Sequence, residues 1–349
     1  MDSKNNFKKK FVTSIEKPNR IIITTHYSPD DDAIGSSLAL YDWLTTKYPQ
    51  KNINVVITGT AANRYTSFFN FNQIKFVADL SSELTGIDAL IMLDGSQYSR
   101  FTRSPLSIVN GEFKKICLDH HSSPIDKFDL IYLDKKATST SEIVMDVVYG
   151  KGKISPKVAE VLLLGIFGDT GTFNYLKPNQ LNTFDNVKKL LKIANIEIQD
   201  FKAKYATISH SVFTIIQEYM RNTKFVDLPS GENYQYSFVT KEFLDKNDFS
   251  DGQASEACHV YMAEYLRLIE GYRWGFVATP KKTEISVSFR SLPGSVNVRS
   301  LVERLDIGGG HDRAAGSGFK PERWGKKLSL NFTLKYLINW IGENELELS

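Results

Sequence analysis

Cysteine is scarce in this chain, with two residues among 349. Cys117 lies in a short apolar run and Cys258 lies far from it in the sequence, so no disulfide framework is expected and a reducing cytoplasm is the predicted location. Long apolar runs are also missing. The N-terminal segment Met1 to Lys10 is polar and lysine-rich, which predicts neither a signal peptide nor a membrane-spanning helix.

A strong excess of one charge is lacking as well. The formal net charge is +3 and the sequence pI is about 8.5. This mildly basic balance fits a small anionic substrate, but it is too weak to indicate a long nucleic-acid track. With 349 residues, 42% of them hydrophobic, the chain is long enough for two domains of ordinary size.

The N-terminal half alternates strand-like apolar runs with helix-like segments, which predicts an α/β fold with a mostly parallel sheet flanked by helices. The predicted strands are Ile21 to Thr25, Asn54 to Thr58, Ala89 to Leu93, Lys115 to Leu118 and Leu130 to Leu133. A helix-like run from 158 to 167 precedes Asp169.

The second half predicts a smaller mixed α/β domain. Its predicted strands are Tyr234 to Val239, Trp274 to Thr279, Ile285 to Phe289 and Leu328 to Leu334, with a helix from Ala254 to Ile269. A continuously helix-compatible stretch lies between the halves. We therefore predict domains at 1–185 and 226–349, a helical linker at 186–225, and an active-site cleft between the domains.

Acids and histidines gather where the predicted strands end, which is where ligands bind in open α/β sheets. The residues are His26, Asp30, Asp32, Asp94, Asp119, His120 and His121. Asp169 follows the helix-like run instead, so its carboxylate would face the negative end of the helix dipole, a conflict that a bound cation would relieve. The chain has only six histidines, and three of them lie in this set.

Taken in order, His26-x-x-x-Asp30-x-Asp32, Asp94, Asp119-His120-His121 and Gly168-Asp169-Thr170-Gly171 resemble the four motifs of the DHH phosphoesterase superfamily. Gly308-Gly309-Gly310-His311 and the residues after it resemble the glycine-rich GGGH signature of the DHH-associated domain. The similarity extends from the first strand to Phe319. Within the superfamily, the chain resembles stand-alone bifunctional oligoribonuclease (nanoRNase) and 3′-phosphoadenosine-5′-phosphate phosphatase proteins, often labelled exopolyphosphatase-related.

The resemblance implies a centre of two divalent cations. It assigns His26 and Asp30 to one ion and Asp32, His120 and Asp169 to the other, with Asp94 as the bridge. Manganese is the family expectation, and imidazole with carboxylate ligands suits it, while Mg²⁺ is the alternative. Asp31 is expected to point away from the ions and to cap the helix that begins near Ala33.

Other residues are assigned to catalysis and substrate binding by the same resemblance. His121 is expected to contact the substrate phosphate, and Asp119 is expected to orient the imidazoles. The remaining substrate contacts are expected from Arg290, Ser291, Gly308, Gly309, Gly310 and His311. Arg290 suits a remote phosphate because a guanidinium binds phosphate through two hydrogen bonds. Arg299 is expected to be structural, and Ser139 to Glu142 fits a capping box.

These observations predict a metal-dependent phosphodiesterase or phosphatase that hydrolyses short RNA or DNA oligonucleotides, 3′-phosphoadenosine-5′-phosphate, or both. A cyclic di-AMP or pApA phosphodiesterase is an alternative with the same architecture. A catalytically silent nucleic-acid-binding DHH relative is an alternative of another class, and the filled ligand positions argue against it. The chain's expected partners are thus small nucleotides or oligonucleotides and no membrane, with a homodimer left open.

Overall fold

The computed structural model describes residues 4–27, 29–121, 124–325 and 328–345. The chain divides into two compact units at Thr207 and Ile208. This division lies inside the stretch predicted as a helical linker at 186–225. Among the described residues, no helix is both long and apolar enough to cross a lipid bilayer.

Unit 1 contains a six-stranded sheet in its described residues, with every neighbouring pair parallel and the strand order β3-β2-β1-β4-β5-β6. The strands are β1 (Arg20–Thr25), β2 (Asn52–Thr58), β3 (Ile74–Val77), β4 (Ala89–Leu93), β5 (Lys114–Asp119) and β6 (Leu130–Leu133). The chain first winds from β1 outward to β3 and then returns to place β4 on the other side of β1. Such a reversal opens a crevice at the carboxyl ends of β1 and β4, where ligands bind in doubly wound folds.

Helices cover this sheet because alternate strand residues bury apolar side chains on both faces. One face packs Ile23, Ile91 and Leu118 against the larger core, while Ile22 and Met92 pack into a smaller cluster on the other face. The helices of unit 1 are α1 (Lys4–Glu16), α2 (Asp31–Lys47), α3 (Pro105–Val109), α4 (Thr140–Ile143), α5 (Pro156–Thr170), α6 (Thr183–Ala194) and α7 (Ile198–Tyr205). A π-helical turn, Val144–Tyr149, continues α4.

The predicted linker is helical, but its helices belong to the cores of the two units. Val187 and Leu190 of α6 and Phe201 of α7 are buried in the main core of unit 1. The next helix, α8 (His210–Arg221), buries Ile215 and Ile216 in a cluster of unit 2. The amphipathic pattern across 186–225 therefore serves to pack helices onto both units.

Helices α2 and α5 approach closely at Gly35. A Cβ at this position would lie 2.4 Å from Val161 O and 3.0 Å from Gly165 N, both of them backbone atoms of α5. Glycine therefore allows the N-terminal half of α2 to lie directly against α5. The close approach matters because α2 begins and α5 ends at predicted metal ligands.

We expect Gly35→Ala to lower the free energy of unfolding of unit 1 by about 1–3 kcal/mol, since overpacking a tight contact costs that much. Gly342 is the matched control, because it also lies in a helix and an added Cβ there would meet nothing within 4 Å. Gly342→Ala is expected to be neutral or to stabilise unit 2 by up to about 1 kcal/mol. Urea unfolding monitored by circular dichroism distinguishes the two, and equal effects would contradict the packing argument.

Unit 2 contains a mixed sheet with the order β11-β12-β10-β9-β8-β7, in which β8 and β9 are parallel and the other pairs antiparallel. Its strands are β7 (Lys224–Val226), β8 (Tyr234–Phe238), β9 (Trp274–Pro280), β10 (Ile285–Ser291), β11 (Gly308–His311) and β12 (Ala314–Phe319). Its further helices are α9 (Lys241–Lys246), α10 (Asp251–Glu264), α11 (Val298–Arg304), α12 (Pro321–Trp324) and α13 (Leu330–Glu343). The predicted fold class, a mostly parallel sheet flanked by helices followed by a mixed α/β unit, is confirmed.

The strand predicted at Leu328 to Leu334 is wrong, because residues from Leu330 onward form helix α13. The helix begins where the Ser329 side chain accepts a hydrogen bond from Phe332 N at 3.1 Å. Its buried residues are Thr333, Leu334, Leu337 and Ile341, which lie on one face of a helix. Gly308–His311, the segment with the glycine-rich signature, pairs with β12 as an exposed edge strand.

Candidate metal centre

The crevice of unit 1 receives side chains from the ends of five elements. His26 follows β1, Asp94 follows β4, and Asp119 is the last residue of β5 with His120 directly after it. Helix α2 begins with Asp30 at its N-cap and carries Asp32 in its first turn. Asp169 lies in the last turn of α5. All six residues predicted to hold the two ions thus come together at the reversal point of the sheet.

Asp94 lies at the middle of this cluster and is 1% exposed. Its Oδ2 is 3.3 Å from His26 Nε2, and its Oδ1 is 3.5 Å from His120 Nε2 and 3.4 Å from His121 Nδ1. The backbone of Asp94 has φ +59°, a left-handed conformation that is uncommon for residues other than glycine. Strain of this kind persists mainly at functional sites, where it directs a side chain.

Three groups of possible ligand atoms occur within the described residues, and each includes Asp94. His26, Asp30 and Asp94 form one group, with His26 Nε2 3.6 Å from Asp30 Oδ2. Asp32, Asp94, His120 and Asp169 form the second, with His120 Nε2 2.9 Å from Asp169 Oδ2. The third consists of Asp94, His120 and His121. The first two groups have the composition predicted for the two ions, with Asp94 common to both.

The imidazole nitrogens that face this cluster fit metal ligation. His26 Nε2 and His120 Nε2 are buried, and neither makes a hydrogen bond of acceptable geometry within the described part of the chain. Buried polar atoms nearly always have a hydrogen-bond partner. Two buried nitrogens that lie beside carboxylates without such a bond therefore indicate a site for a metal ion. His26 Nδ1, by contrast, lies 3.1 Å from Tyr27 O, which fixes the ring with Nε2 toward Asp94.

The electrostatics of the cluster also favour a cation. Burial raises the pKa of Asp32 well above its ordinary value, and the nearby Asp169 and Asp94 carboxylates add to the increase. Burial likewise raises the pKa of Asp169 to about 6. Burial lowers the pKa of His120, but Asp169 and Asp94 outweigh this effect and hold it well above normal. Carboxylates that repel one another in a buried crevice are stabilised by divalent cations.

Asp32 is held in place by backbone groups at the start of α4. Its Oδ2 accepts a hydrogen bond from Thr140 N at 2.6 Å, and its Oδ1 accepts one from Ser141 N at 2.8 Å. Thr140 Oγ1 donates to Asp94 Oδ1 at 3.3 Å. The N-terminus of α4 therefore orients two predicted metal ligands, a role that the sequence did not reveal because backbone donors carry no signature of their own.

The predicted capping box at Ser139 to Glu142 is present only in its first half. Ser139 Oγ accepts a hydrogen bond from Glu142 N at 3.1 Å, as an N-cap does. The Glu142 carboxylate does not return to the Ser139 backbone. It accepts hydrogen bonds from Thr138 N and from the side chains of Thr183 and Asn186, which joins α4 to α6.

The prediction that Asp31 caps α2 is wrong. Asp30 is the N-cap, and its Oδ1 accepts hydrogen bonds from Asp32 N at 3.2 Å and Ala33 N at 3.0 Å. The helix begins at Asp31, two residues before the predicted start near Ala33, so the cap lies at Asp30. Asp31 Oδ1 instead accepts hydrogen bonds from Arg64 Nη2 at 2.6 Å and Tyr65 Oη at 2.7 Å.

Asp119 and His121 form a pair beside the cluster. Asp119 is fully buried, and its Oδ1 accepts a hydrogen bond from His121 N at 3.1 Å and lies 2.8 Å from His121 Nδ1. A carboxylate in this position fixes the orientation of the ring and favours a proton on Nδ1. The structure thus places Asp119 against His121, while His120 is directed toward Asp169.

The residues predicted to bind substrate in unit 2 lie near one end of its sheet. Arg290 pairs with Ala314, which pairs with His311 on the next strand, so the three residues form one row across the sheet. Side chains opposite one another in antiparallel strands point to the same face, so Arg290 and His311 share a face. Ser291 points to the other face, where its side chain is buried. Arg299 forms an ion pair with Asp312 at 2.9 Å.

The glycine run next to His311 is required by the close approach of its partner strand. A Cβ at Gly308 would lie 2.1 Å from Gly316 O, and a Cβ at Gly310, where φ is +153°, would lie 2.5 Å from Ala314 O. A Cβ at Gly309 would meet nothing within 4 Å. Two of the three glycines therefore have a structural reason, while Gly309 leaves an open stretch of exposed backbone.

Comparison with known proteins agrees with this geometry. The model of the DHH family, N-terminal domain, matches residues 20–166. This segment includes β1 to β6 and all of the predicted ligands except Asp169. Residues 20–166 form a DHH family domain.

Two known proteins are similar to this chain along nearly its whole length. The bifunctional oligoribonuclease and PAP phosphatase NrnA of Bacillus subtilis is 28% identical over 324 residues, which cover 89% of this chain and 92% of that protein. The structure of an exopolyphosphatase-related protein from Bacteroides fragilis has a TM-score of 0.81 at 23% identity and covers 98% of this chain and 97% of that one. The structural match shows a shared fold for the DHH domain and the unit that follows it.

A third protein is similar over much of this chain but is itself longer. The cyclic-di-AMP phosphodiesterase PdeA of Listeria monocytogenes is 26% identical over 336 residues, which cover 88% of this chain but 46% of that protein. This chain is therefore similar to about half of PdeA and to nearly all of NrnA.

Proposed function

We propose that this DHH protein is a metal-dependent phosphoesterase that hydrolyses short oligonucleotides and 3′-phosphoadenosine-5′-phosphate. The observation that carries the proposal is the position of Asp94, whose two carboxylate oxygens face separate groups of ligands. Enzymes with two metals place the ions about 3.5–4 Å apart around such a bridge. The names of relatives that share the chain's length, above all NrnA, support this substrate class.

The donor set supports manganese as the metal. Imidazoles with several carboxylates suit Mn²⁺, and Mg²⁺ is the competing ion where oxygen ligands dominate. His26, Asp30 and Asp94 would hold one ion, and Asp32, Asp94, His120 and Asp169 would hold the other. Two bound ions would supply Lewis acidity, activating water and stabilising the charge that develops on the phosphoryl group.

The protein groups around the proposed ions orient the predicted substrate contact and hold the ligand carboxylates in place. Asp119 accepts a hydrogen bond from His121 Nδ1 and fixes the ring, so that His121, with protons on both ring nitrogens, can donate from Nε2 to a phosphate oxygen of the substrate. Thr140 N and Ser141 N hold Asp32, and Thr140 Oγ1 holds Asp94. These contacts fix the ligand carboxylates before substrate binds, which lowers the cost of reaching the reactive geometry.

We infer that Arg290 and His311 bind the part of the substrate remote from the scissile phosphate. They share one face of the unit 2 sheet, and they lie two strands apart, roughly 10 Å between Cα atoms at ordinary strand spacing. Their side chains can therefore reach one anionic group from two sides. Exposed backbone at Gly309 offers a third donor on the same edge strand.

The proposed function is tested by one panel assay with Mn²⁺. Release of phosphate or mononucleotide is measured from 3′-phosphoadenosine-5′-phosphate, oligonucleotides of two to five residues, long RNA, cyclic di-AMP, pApA and polyphosphate. We expect turnover of the first two substrate classes, with long RNA at least about tenfold slower because the modest net charge offers little backbone binding. If the protein hydrolyses none of these substrates, the proposal is refuted. A preference for cyclic di-AMP or pApA would favour the PdeA-like alternative.

We expect Arg290→Ala and His311→Ala to slow hydrolysis of short 5′-phosphorylated oligonucleotides and 3′-phosphoadenosine-5′-phosphate. A charge-assisted hydrogen bond is typically worth about 1.5–3 kcal/mol. The loss in kcat/KM is therefore expected to be roughly one to two powers of ten. Because remote binding positions the reacting phosphate, kcat is expected to fall as well as affinity.

The artificial ester bis-p-nitrophenyl phosphate is the substrate control, since it has no remote phosphate and needs only the metal centre. Its hydrolysis is expected to stay within about twofold of wild type, well below the effect of a lost charged contact. Arg221→Ala is the variant control, because Arg221 is exposed and pairs with Glu218 on α8. An equal loss on the artificial ester would show that Arg290 and His311 do not select the substrate.

A further inference from the structure

Asp31 lies between Asp30 and Asp32 in the sequence, yet its carboxylate belongs to a separate network. Arg64 Nη2 and Tyr65 Oη donate hydrogen bonds to Asp31 Oδ1 at 2.6 and 2.7 Å. Arg64 Nη2 also lies 2.9 Å from Tyr65 Oη. The Asp31 side chain is 13% exposed and that of Arg64 is 16% exposed, so this ion pair is largely withdrawn from water.

The network lies directly against the last turn of α5. A Cβ at Gly168 would lie 2.3 Å from Asp31 Cβ, so glycine at this position makes room for the Asp31 side chain. Gly168 immediately precedes Asp169, a predicted ligand of the second ion. Asp31 therefore lies between two predicted ligands in the sequence and packs beside Gly168, the residue that precedes a third predicted ligand.

If the Asp31 carboxylate were free to turn toward the metal centre, it would compete with the proposed ligands. Carboxylates are preferred ligands for Mn²⁺ and Mg²⁺, and an additional one would occupy a coordination position that a catalytic metal keeps open for water or substrate. We propose that Arg64 and Tyr65 hold the Asp31 carboxylate out of the metal centre, which makes Arg64 a positioning residue that preserves the open coordination position. This inference rests on the metal-dependent function proposed above.

The charge balance of the pair gives the proposal a specific signature. Arg64 and Asp31 together add no net charge beside the ions, so each single substitution leaves one unpaired charge of opposite sign. A unit charge about 10 Å from a divalent ion changes its binding constant about fourfold even in water, and by more where water is excluded. Arg64→Met is therefore expected to tighten Mn²⁺ binding at least about fourfold, and Asp31→Ala is expected to weaken it at least about fourfold.

The experiment measures Mn²⁺ affinity by calorimetric titration of the full-length protein, together with kcat on bis-p-nitrophenyl phosphate. Arg64→Met is expected to keep its metal and to lose about tenfold in kcat. This is the lower end of the range of about 10–100-fold that is typical when a group that orients a metal site is removed. The double variant Arg64→Met/Asp31→Ala is expected to return both quantities to within about twofold of wild type, since no charge is left unpaired. Tyr65→Phe removes one hydrogen bond to Asp31 without changing a charge. It is expected to lower kcat by a smaller factor than Arg64→Met does.

Lys204 and Glu160 provide a matched control, because they form another partly buried ion pair of unit 1. Lys204→Met is expected to leave Mn²⁺ affinity and kcat unchanged. If Arg64→Met and Asp31→Ala only lower the melting temperature, or shift Mn²⁺ affinity in the same direction, the positioning role is refuted. Absence of divalent-ion binding by the wild-type protein would instead refute the proposed function.

Discussion

Asp94→Ala is expected to remove the divalent ions and nearly all hydrolytic activity while leaving the fold intact. Asp94 belongs to every group of possible ligand atoms among the described residues, and its two oxygens face His26 and His120 separately. Its loss therefore affects both ions together. Changes in the surroundings of metal ligands already cost about 10–100-fold, so loss of the bridge is expected to lower kcat by roughly a thousandfold.

The measurement combines elemental analysis of the purified variant with turnover of bis-p-nitrophenyl phosphate in excess Mn²⁺. Asp94→Asn distinguishes the carboxylate from the backbone, since asparagine tolerates the left-handed conformation at φ +59° better than alanine does. We expect both variants to lose the metals. Asp129→Ala is the control, because Asp129 lies at the amino ends of the strands, away from the metal centre. Its side chain accepts a hydrogen bond from Lys115 N at 2.7 Å, just before β6. Retention of a tenth of wild-type activity by Asp94→Ala would contradict the bridging role.

The central strands of unit 1 could be predicted from the sequence because they are buried on both faces. Such strands form continuous apolar runs, as Ala89–Leu93 does, and polar residues directly after the run mark its carboxyl end. Strand β3, Ile74–Val77, has no such run because it lies at the sheet edge and is partly exposed. The sequence therefore predicts the strands that carry the site, and also the edge strand β6, whose residues form an apolar run, but it does not predict β3.

The error at Leu328 to Leu334 has a similar physical cause. Leu328, Leu330, Phe332 and Leu334 alternate with polar residues, a pattern with the period of a strand. The pattern changes further on, where Leu337 and Ile341 continue the spacing of a helix from Leu334. A window of seven residues is too short to distinguish the two periods, whereas the full fourteen residues of α13 show the helical one.

The arrangement of the candidate ligands could be predicted because parallel strands bring their carboxyl ends to one edge. His26 and Asp94 are far apart in sequence, yet β1 and β4 are adjacent and in register, with Thr25 opposite Leu93. The groups that hold the ligands could not be predicted in the same way. Arg64 lies on a short helical turn 33 residues from Asp31, and no pattern in the sequence links them. Long-range contacts between side chains depend on packing, which a motif does not encode.

His120→Ala and His121→Ala are expected to fail in different ways, although the two residues are adjacent. His120 Nε2 is 2.9 Å from Asp169 Oδ2 and has no hydrogen bond of its own among the described residues, as a metal ligand would. His121 Nδ1 is instead 2.8 Å from Asp119 Oδ1, as a ring held for contact with a phosphate would be. His120→Ala is therefore expected to lose bound metal, whereas His121→Ala is expected to retain both ions and lose about a hundredfold in kcat, as removal of one stabilising donor does.

Metal content by elemental analysis and kcat at saturating Mn²⁺ separate the two outcomes. Excess Mn²⁺ is expected to restore part of the activity of His120→Ala, because a weakened site can be filled by mass action. It is not expected to help His121→Ala, whose centre is already occupied. His121→Gln tests the donor directly, since an amide can donate a hydrogen bond without titrating, and it is expected to recover more activity than alanine. Equal metal loss in His120→Ala and His121→Ala would assign both imidazoles to the ions, and the substrate phosphate would then have to be held by other groups.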